Sequence, residues 1–182
     1  AIIATYGSST ERPLLRTGAS AAINDAGTLR HFVVMGIHLY AHTRDPTDPP
    51  YSTAGDEGFY FRNVTNLLIE DCKIEYYTDG ITLEGFGLPE NYAKDVSIRH
   101  NVIVDSYFAG GQHSEGVFAN QVFRNFLIED NVFDHNGYNE LVPGAEATIF
   151  NHNMYISTNT PYDTTVRNNI VARASSHGNQ LR

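Results

Sequence analysis

Short alternations of apolar and polar residues run the length of the chain, separated by Gly, Asn, Asp and Ser. A period of two over so few residues predicts β-strands with one buried face. No segment carries the 3.6-residue apolar period of an amphipathic helix, so few helices are expected. The alternations are also alike. FVVMGIHLY from Phe32, LLIEDCKIEY from Leu67, VSIRHNVIVD from Val96, FLIEDNVFDHNG from Phe126 and TTVRNNIVAR from Thr164 align on a central aliphatic residue. These anchors are Val34, Ile69, Ile98, Ile128 and Val166, spaced at roughly 30 to 40 residues, the interval of a repeat architecture.

The alignment generates further columns. A second apolar column reads Leu39, Ile74, Ile103, Phe133 and Val171. Between the two lies Ile37, Cys72, Asn101, Asn131 and Asn169. Equivalent residues on stacked parallel strands lie about 4.8 Å apart, so three consecutive Asn side chains can bond one another, and Asn tolerates the left-handed backbone of a turn. The residue after each anchor reads Met35, Glu70, Arg99, Glu129 and Arg167, an alternation of charge expected of neighbours on stacked coils. A second recurring unit places a polar residue before Gly and an apolar alternation after it: Glu57-Gly58-Phe59, Asp79-Gly80-Ile81, Glu115-Gly116-Val117 and His177-Gly178. His152-Asn153-Met154 fills the same slot with Asn for Gly, which suggests a position of positive φ.

The units NLLIEDCKIEYYTDGITL, DVSIRHNVIVDSY and FLIEDNVFDHNGYNE resemble the right-handed parallel β-helix repeats of the pectate-lyase-like superfamily. The opening AIIATYGSSTERPLLR is similar to an early coil of such proteins. The resemblance implies an all-β, right-handed parallel β-helix (a solenoid) of about five coils in one domain over residues 1–182. Neither end shows a capping pattern, so the chain is expected to be a piece cut at both ends, or to self-associate through its uncapped coil ends. By resemblance the protein is extracellular or periplasmic and carbohydrate-active, acting on a polysaccharide or oligosaccharide, with a lyase that performs β-elimination on an acidic polysaccharide expected slightly ahead of a glycoside hydrolase. The superfamily also holds non-catalytic binders and structural segments of the adhesin or tailspike kind, so the fold leaves the activity open.

Composition narrows the partners. The net charge is -9, from 12 Lys and Arg against 21 Asp and Glu. The basic residues are scattered, which argues against nucleic acid. No apolar run approaches the ~20 residues that span a membrane. Cys72 is the single cysteine, which excludes an intrachain disulfide and a CxxC site.

Candidate chemistry gathers before the Gly column: Glu57, Asp79, Glu115, His152 and His177, with His113 two residues before Glu115. Beside it, two residues after the Gly, lie Tyr60, Thr82, Phe118, Tyr155 and Gln180. Carboxylates and imidazoles next to aromatic faces suit a sugar-binding groove. A hydrolase would use Asp79 and Glu115 as a carboxyl pair of separated pKa. A lyase would use His113, His152 or His177 as base, with Arg or Ca²⁺ against the developing negative charge. Asp79, Glu115, His113 and His177 are therefore the catalytic candidates. Tyr60, Phe118, Tyr155, His152 and Arg182 are the substrate-binding ones, and Glu57, Asp79 and Glu115 could hold Ca²⁺. A Zn²⁺ site would lack HxH or HExxH spacing. The same column would equally serve as a solvated edge, and loops 43–55 and 136–148 could cover the aromatic residues. Four acids, Asp45, Asp48, Asp56 and Glu57, lie in or next to the Pro-rich loop and could line the groove or bind Ca²⁺.

Overall fold

Each alternation becomes a short strand in the computed structural model, which describes residues 1–88, 92–121, 124–157 and 163–182. Three six-stranded parallel sheets form a parallel β-helix. The first sheet contains β1 (Ile2–Ala4), β4 (Arg30–Met35), β7 (Thr65–Glu70), β10 (Lys94–Arg99), β13 (Arg124–Glu129) and β16 (Thr164–Arg167). The second contains β2 (Leu14–Arg16), β5 (His38–Tyr40), β8 (Lys73–Glu75), β11 (Val102–Val104), β14 (Val132–Asp134) and β17 (Ile170–Ala172). The third contains β3 (Ile23–Asp25), β6 (Phe59–Arg62), β9 (Ile81–Glu84), β12 (Glu115–Asn120), β15 (His152–Ser157) and β18 (Asn179–Leu181). Among the described residues, one 3-10 turn at His42–Arg44 is the helical element, and no helix is long and apolar enough to cross a membrane.

The register follows the repeat. Val34 pairs with Ile69, Ile69 with Ile98, Ile98 with Ile128, and Ile128 with Val166. The coil count needs a correction, because six rungs are present rather than about five. The added rung pairs Ile3 with Val34, Leu15 with Leu39 and Ile23 with Phe59. Its strands are three residues long and largely exposed, and polar connections separate them, so the period is hard to see. Val34, Ile69, Ile98 and Ile128 are fully buried, as are Phe59, Ile81, Val117 and Met154 from the third sheet. Each such side chain contributes roughly 1.5–3 kcal/mol by leaving water.

The Asn ladder forms at the corner between the first two sheets. Asn101 Nδ2 donates to Asn131 Oδ1, and Asn131 Nδ2 to Asn169 Oδ1, each at 3.0 Å. Each amide also donates to a backbone carbonyl, of Ile69, Ile98 and Ile128 in turn. Each Oδ1 accepts a backbone amide from the rung before, that of Cys72, Asn101 or Asn131. The left-handed residue is the one ahead of the ladder: Gly36, Asp71, His100, Asp130 and Asn168 have φ between 52° and 70°. It turns the chain so that the Asn points inward. On the outer face, Glu70 pairs with Arg99 (3.0 Å) and Glu129 with Arg167 (2.6 Å).

The glycines of the second unit have a different reason from positive φ. Gly58, Gly80 and Gly116 face the core where the second sheet hands over to the third. A Cβ on Gly80 would lie 2.5 Å from the Gly116 carbonyl and 2.6 Å from Ile103 Cγ2. At both ends of this column two successive amides share one carbonyl, Ala22 and Ile23 on Gly58, and Asn153 and Met154 on Gly178. At the middle rungs the amides pair one to one instead, Gly58 with the Asp79 carbonyl and Phe59 with that of Gly80. The chemistry-bearing column therefore depends on glycine for space.

Loops 41–58, 76–80, 105–114 and 135–151 stack at this corner. Arg44 is fully buried among them, donating to the carbonyls of Tyr76, Thr53 and Tyr107, with its guanidinium 4.2 Å from the Tyr107 ring centre. Tyr107 returns a bond from its hydroxyl to the Arg44 carbonyl at 2.6 Å. Tyr107, Val142 and Ala145 form a small apolar cluster of their own. Asp45 serves loop 41–58 internally, accepting from Thr47 and Tyr40, and Asp48 pairs with Arg16 at 3.1 Å. Neither is spent on a groove.

Candidate functional site

The outward face of the third sheet carries three columns of side chains, one just before the glycines and two along the strands. The column before the glycines runs Glu57, Asp79, Glu115, His152 and His177, with Glu115 paired to His152. The Gly58 amide donates to the Asp79 carbonyl at 2.9 Å and the Gly80 amide to the Glu115 carbonyl at 3.0 Å, which fixes the rungs one above another. The middle column runs Tyr60, Thr82, Phe118, Tyr155 and Gln180. The third runs Arg62, Glu84, Asn120, Ser157 and Arg182.

A depression of about 610 Å³ covers the first three rungs of these columns and part of the next, with Glu57, Asp79, His113, Glu115, Phe118 and Tyr155 among its walls. A second, of about 490 Å³, continues it over the last two rungs through the shared His113 and Tyr155. The corner loops form one wall and leave the aromatic residues partly open. Phe118 and Tyr155 stack at 5.7 Å between ring centres, an apolar shelf beside the carboxylates.

Asp79 and Glu115 differ in how their charge is met. The Glu115 amide donates to Asp79 Oδ1 at 2.6 Å, and Thr82 Oγ1 lies 3.4 Å from Asp79 Oδ2. The Glu115 side chain is 1% exposed, and neither of its oxygens has a hydrogen-bond partner. Burial, then the neighbouring Asp79 charge, pushes its pKa far up. Burial raises Asp79 as well, while the bonds from Glu115 and Thr82 favour its charged form. Of the two, Glu115 holds the proton at neutral pH and Asp79 is the one that ionises. Next to them Glu57 is pushed up to about 7, by burial and then by the Asp56 side chain. The exposed ring of His113 approaches Glu115, with Nδ1 3.4 Å from Oε1.

Of the residues singled out in the sequence, Glu57, Tyr60, Asp79, His113, Glu115, Phe118 and Tyr155 come together in the first depression. His152, His177 and Arg182 line the second, and His177 stands two rungs beyond Glu115. Among the described residues, no three His, Cys, Asp or Glu side chains converge as metal ligands would. The sequence pattern did not single out Arg62, Glu84, Asn120 or Ser157 of the third column, of which Arg62 and Glu84 carry charge. They are 3.5 Å apart, and the Tyr60 hydroxyl bonds Glu84 Oε2 at 2.7 Å. Both sit two positions beyond the aromatic column, a spacing that could have revealed them.

The sequence profile of the disaggregatase-related family matches residues 63–180, more than half of the chain. The chain belongs to the disaggregatase-related family. No curated protein and no solved structure matches it. The part of this family member that carries the match contains Asp79, His113, Glu115 and His177, whereas Glu57, Tyr60 and Arg182 lie outside it.

Proposed function

We propose that this disaggregatase-related protein cleaves a glycan by hydrolysis, with Glu115 as the general acid. The observation that carries the reading is the Glu115 carboxyl: buried, held protonated by burial and by the Asp79 charge, with the His113 ring 3.4 Å from Oε1, and lining an open groove. A protonated carboxyl of this kind can give its proton to a glycosidic oxygen. Asp79 stays anionic beside it and stabilises the positive charge that grows on the sugar ring. Glu57, two rungs from Glu115 and thus about 9.5 Å along the ladder, is placed to activate water. Phe118 and Tyr155 supply a surface for the apolar face of a sugar. The resemblance of the repeats to the pectate-lyase-like superfamily supports a carbohydrate ligand, and a disaggregatase, by its name, takes aggregates apart.

Hydrolysis is preferred to β-elimination for an electrostatic reason. A lyase must draw negative charge onto the sugar at the reacting centre. Here Asp79 is anionic at that centre, Glu57 with a pKa of about 7 lies beside it, and Arg62 on that stretch of groove pairs with Glu84. The test is release of reducing ends from a panel of neutral and acidic polysaccharides, with absorbance at 235 nm read in parallel. New reducing ends without absorbance, lost in Glu115→Gln, are expected. Absorbance at 235 nm would show elimination instead, and binding without cleavage would place the protein among the non-catalytic β-helices.

A further inference from the structure

A buried acid has to be reloaded. The Glu115 side chain is 1% exposed and both of its carboxyl oxygens are buried, so bulk water does not reach them to replace a proton once given. His113 spans that gap. Its ring is 61% exposed, yet Nδ1 stands 3.4 Å from Glu115 Oε1. The separation is slightly longer than a formed hydrogen bond, as is common where a catalytic contact tightens only during reaction. An imidazole both takes and gives a proton near neutral pH. The backbone next to it is fixed on one side, because the Ser114 amide donates to Asn151 Oδ1 at 3.2 Å and the Ser114 hydroxyl to the Thr78 carbonyl at 2.6 Å. On the other side stand Gly110 and Gly111, with φ of 116° and 77°. The ring itself leans on Phe150, at 5.5 Å between ring centres. The titratable groups facing it are Glu115 and Asp79 and, from the next rung, His152.

We propose that His113 is the proton courier of this site, passing protons from solvent to the Glu115 carboxyl between turnovers and swinging aside when a sugar enters. This deepens the hydrolytic reading and rests on it for the need that the ring meets. In the cleavage step the Glu115 proton passes to the glycosidic oxygen as the bond from that oxygen to the sugar carbon breaks. The attacking water bonds that carbon and gives a proton to Glu57. Glu115, now a carboxylate, takes the Nδ1 proton of the His113 imidazolium. The neutral ring takes the next proton from water, and Glu57 returns its own to water, so the cycle closes with no net proton gained or lost. His113 acts through Glu115 and is a positioning residue for its proton.

The experiment compares the wild-type protein with His113→Asn and His113→Ala. Asn keeps a hydrogen-bonding side chain of similar reach but cannot carry a proton, so it separates proton delivery from contact. The first readout needs no substrate. It is the rate at which the Glu115 carboxyl exchanges between its protonated and ionised forms, from ¹³C relaxation dispersion near the midpoint of its titration. That rate should fall at least fivefold in both variants. It should recover in His113→Ala when imidazole is added, and not when the bulkier buffer Hepes is added. The second readout is reducing-end release from the polysaccharide panel, where kcat should fall at least fivefold with KM unchanged and recover with imidazole in the same way. An exchange rate unchanged in His113→Asn, or slowed in His113→Ala and not restored by imidazole, would overturn the proposal. Wild-type cleavage by His113→Asn would overturn it as well and leave the hydrolytic reading in place. Slowed exchange restored by imidazole, in a protein that cuts no glycan, would keep the courier and remove the hydrolytic reading.

Discussion

The Glu115 amide donates to Asp79 Oδ1 at 2.6 Å, while the Glu115 carboxyl beside it goes without a hydrogen-bond partner. One rung of the ladder thus satisfies the first carboxylate and leaves the second to keep a proton. The folded chain retains on Glu115 a proton that the unfolded chain has released by neutral pH. The stability tied to that proton is fully present below the ordinary carboxylate range and is lost as pH rises toward the folded pKa. In Glu115→Gln the loss disappears. Its Tm should fall less than that of the parent between about pH 5 and pH 9, with each pKa unit removed contributing about 1.4 kcal/mol. Thermal melts across that range check this, and parallel curves for the two proteins would contradict it.

Asp79→Asn tests the electrostatic coupling. It removes the charge that helps keep Glu115 protonated, so the alkaline limb of the cleavage profile should move to lower pH while the fold persists. A profile of unchanged shape would show that Asp79 does not act on Glu115.

The Asn ladder makes a prediction about stability alone. Asn131→Ala strips partners from the Ile98 carbonyl and from the amides of Asn101, all buried. The expected cost is about 3 kcal/mol by denaturant titration, since each stranded buried group costs roughly 1–3 kcal/mol and part of that is relieved by relaxation. Asn169→Ala, at the more open end of the ladder, should cost less.

Much of this scaffold was legible in the residues. Aligning five aliphatic anchors reproduced the pairing of the first sheet, and the columns at Leu39 and Phe59 reproduced the other two. The reason is physical: a parallel ladder stacks equivalent residues, so a sequence repeat is also a contact map. The Asn ladder and the charge pairs were legible for the same reason. Features made by loops were not. Arg44, bonded to carbonyls from three segments, has no counterpart on other rungs. A second amide cluster also went unseen, in which Asn136 donates to Asn153 at 2.7 Å and Asn151 to the Gly137 carbonyl at 2.6 Å. Its members come from loops of unequal length, so no alignment column contains them. At the site, the column before the glycines and the aromatic column were visible, but the division of the groove into two depressions depends on where His113, Ile149 and Phe150 fold back.

Gly80→Ala links the scaffold to the site. The added Cβ would press on the Gly116 carbonyl and Ile103 at the tight corner next to Asp79 and Glu115. A loss of about 1–3 kcal/mol in stability is expected, with a larger fractional loss of cleavage than of folded protein. Wild-type activity in a fully folded Gly80→Ala protein would show that the close packing at this corner is not needed.

Loop 135–151 carries a pH-dependent clasp. His135 bonds Asp105 at 2.6 Å through Nδ1 and Glu140 at 2.7 Å through Nε2, and the Asp105 bond is the main cause of its raised pKa. The clasp is fully present below the ordinary histidine range and is lost as pH rises through the raised value. Asp105→Asn should bring the His135 titration down toward that ordinary range. NMR titration of the His135 ring, with hydrogen exchange across the loop, checks both the shift and the loosening.

The protonation state of Glu115 is the most direct thing to measure. A ¹³C NMR titration of the glutamate side-chain carboxyl carbons, assigned through Glu115→Gln, reads it without reference to any substrate. Glu115 should still carry its proton at pH 7, while the exposed glutamates have already titrated. A Glu115 signal that titrates with those exposed glutamates would contradict its role as the general acid.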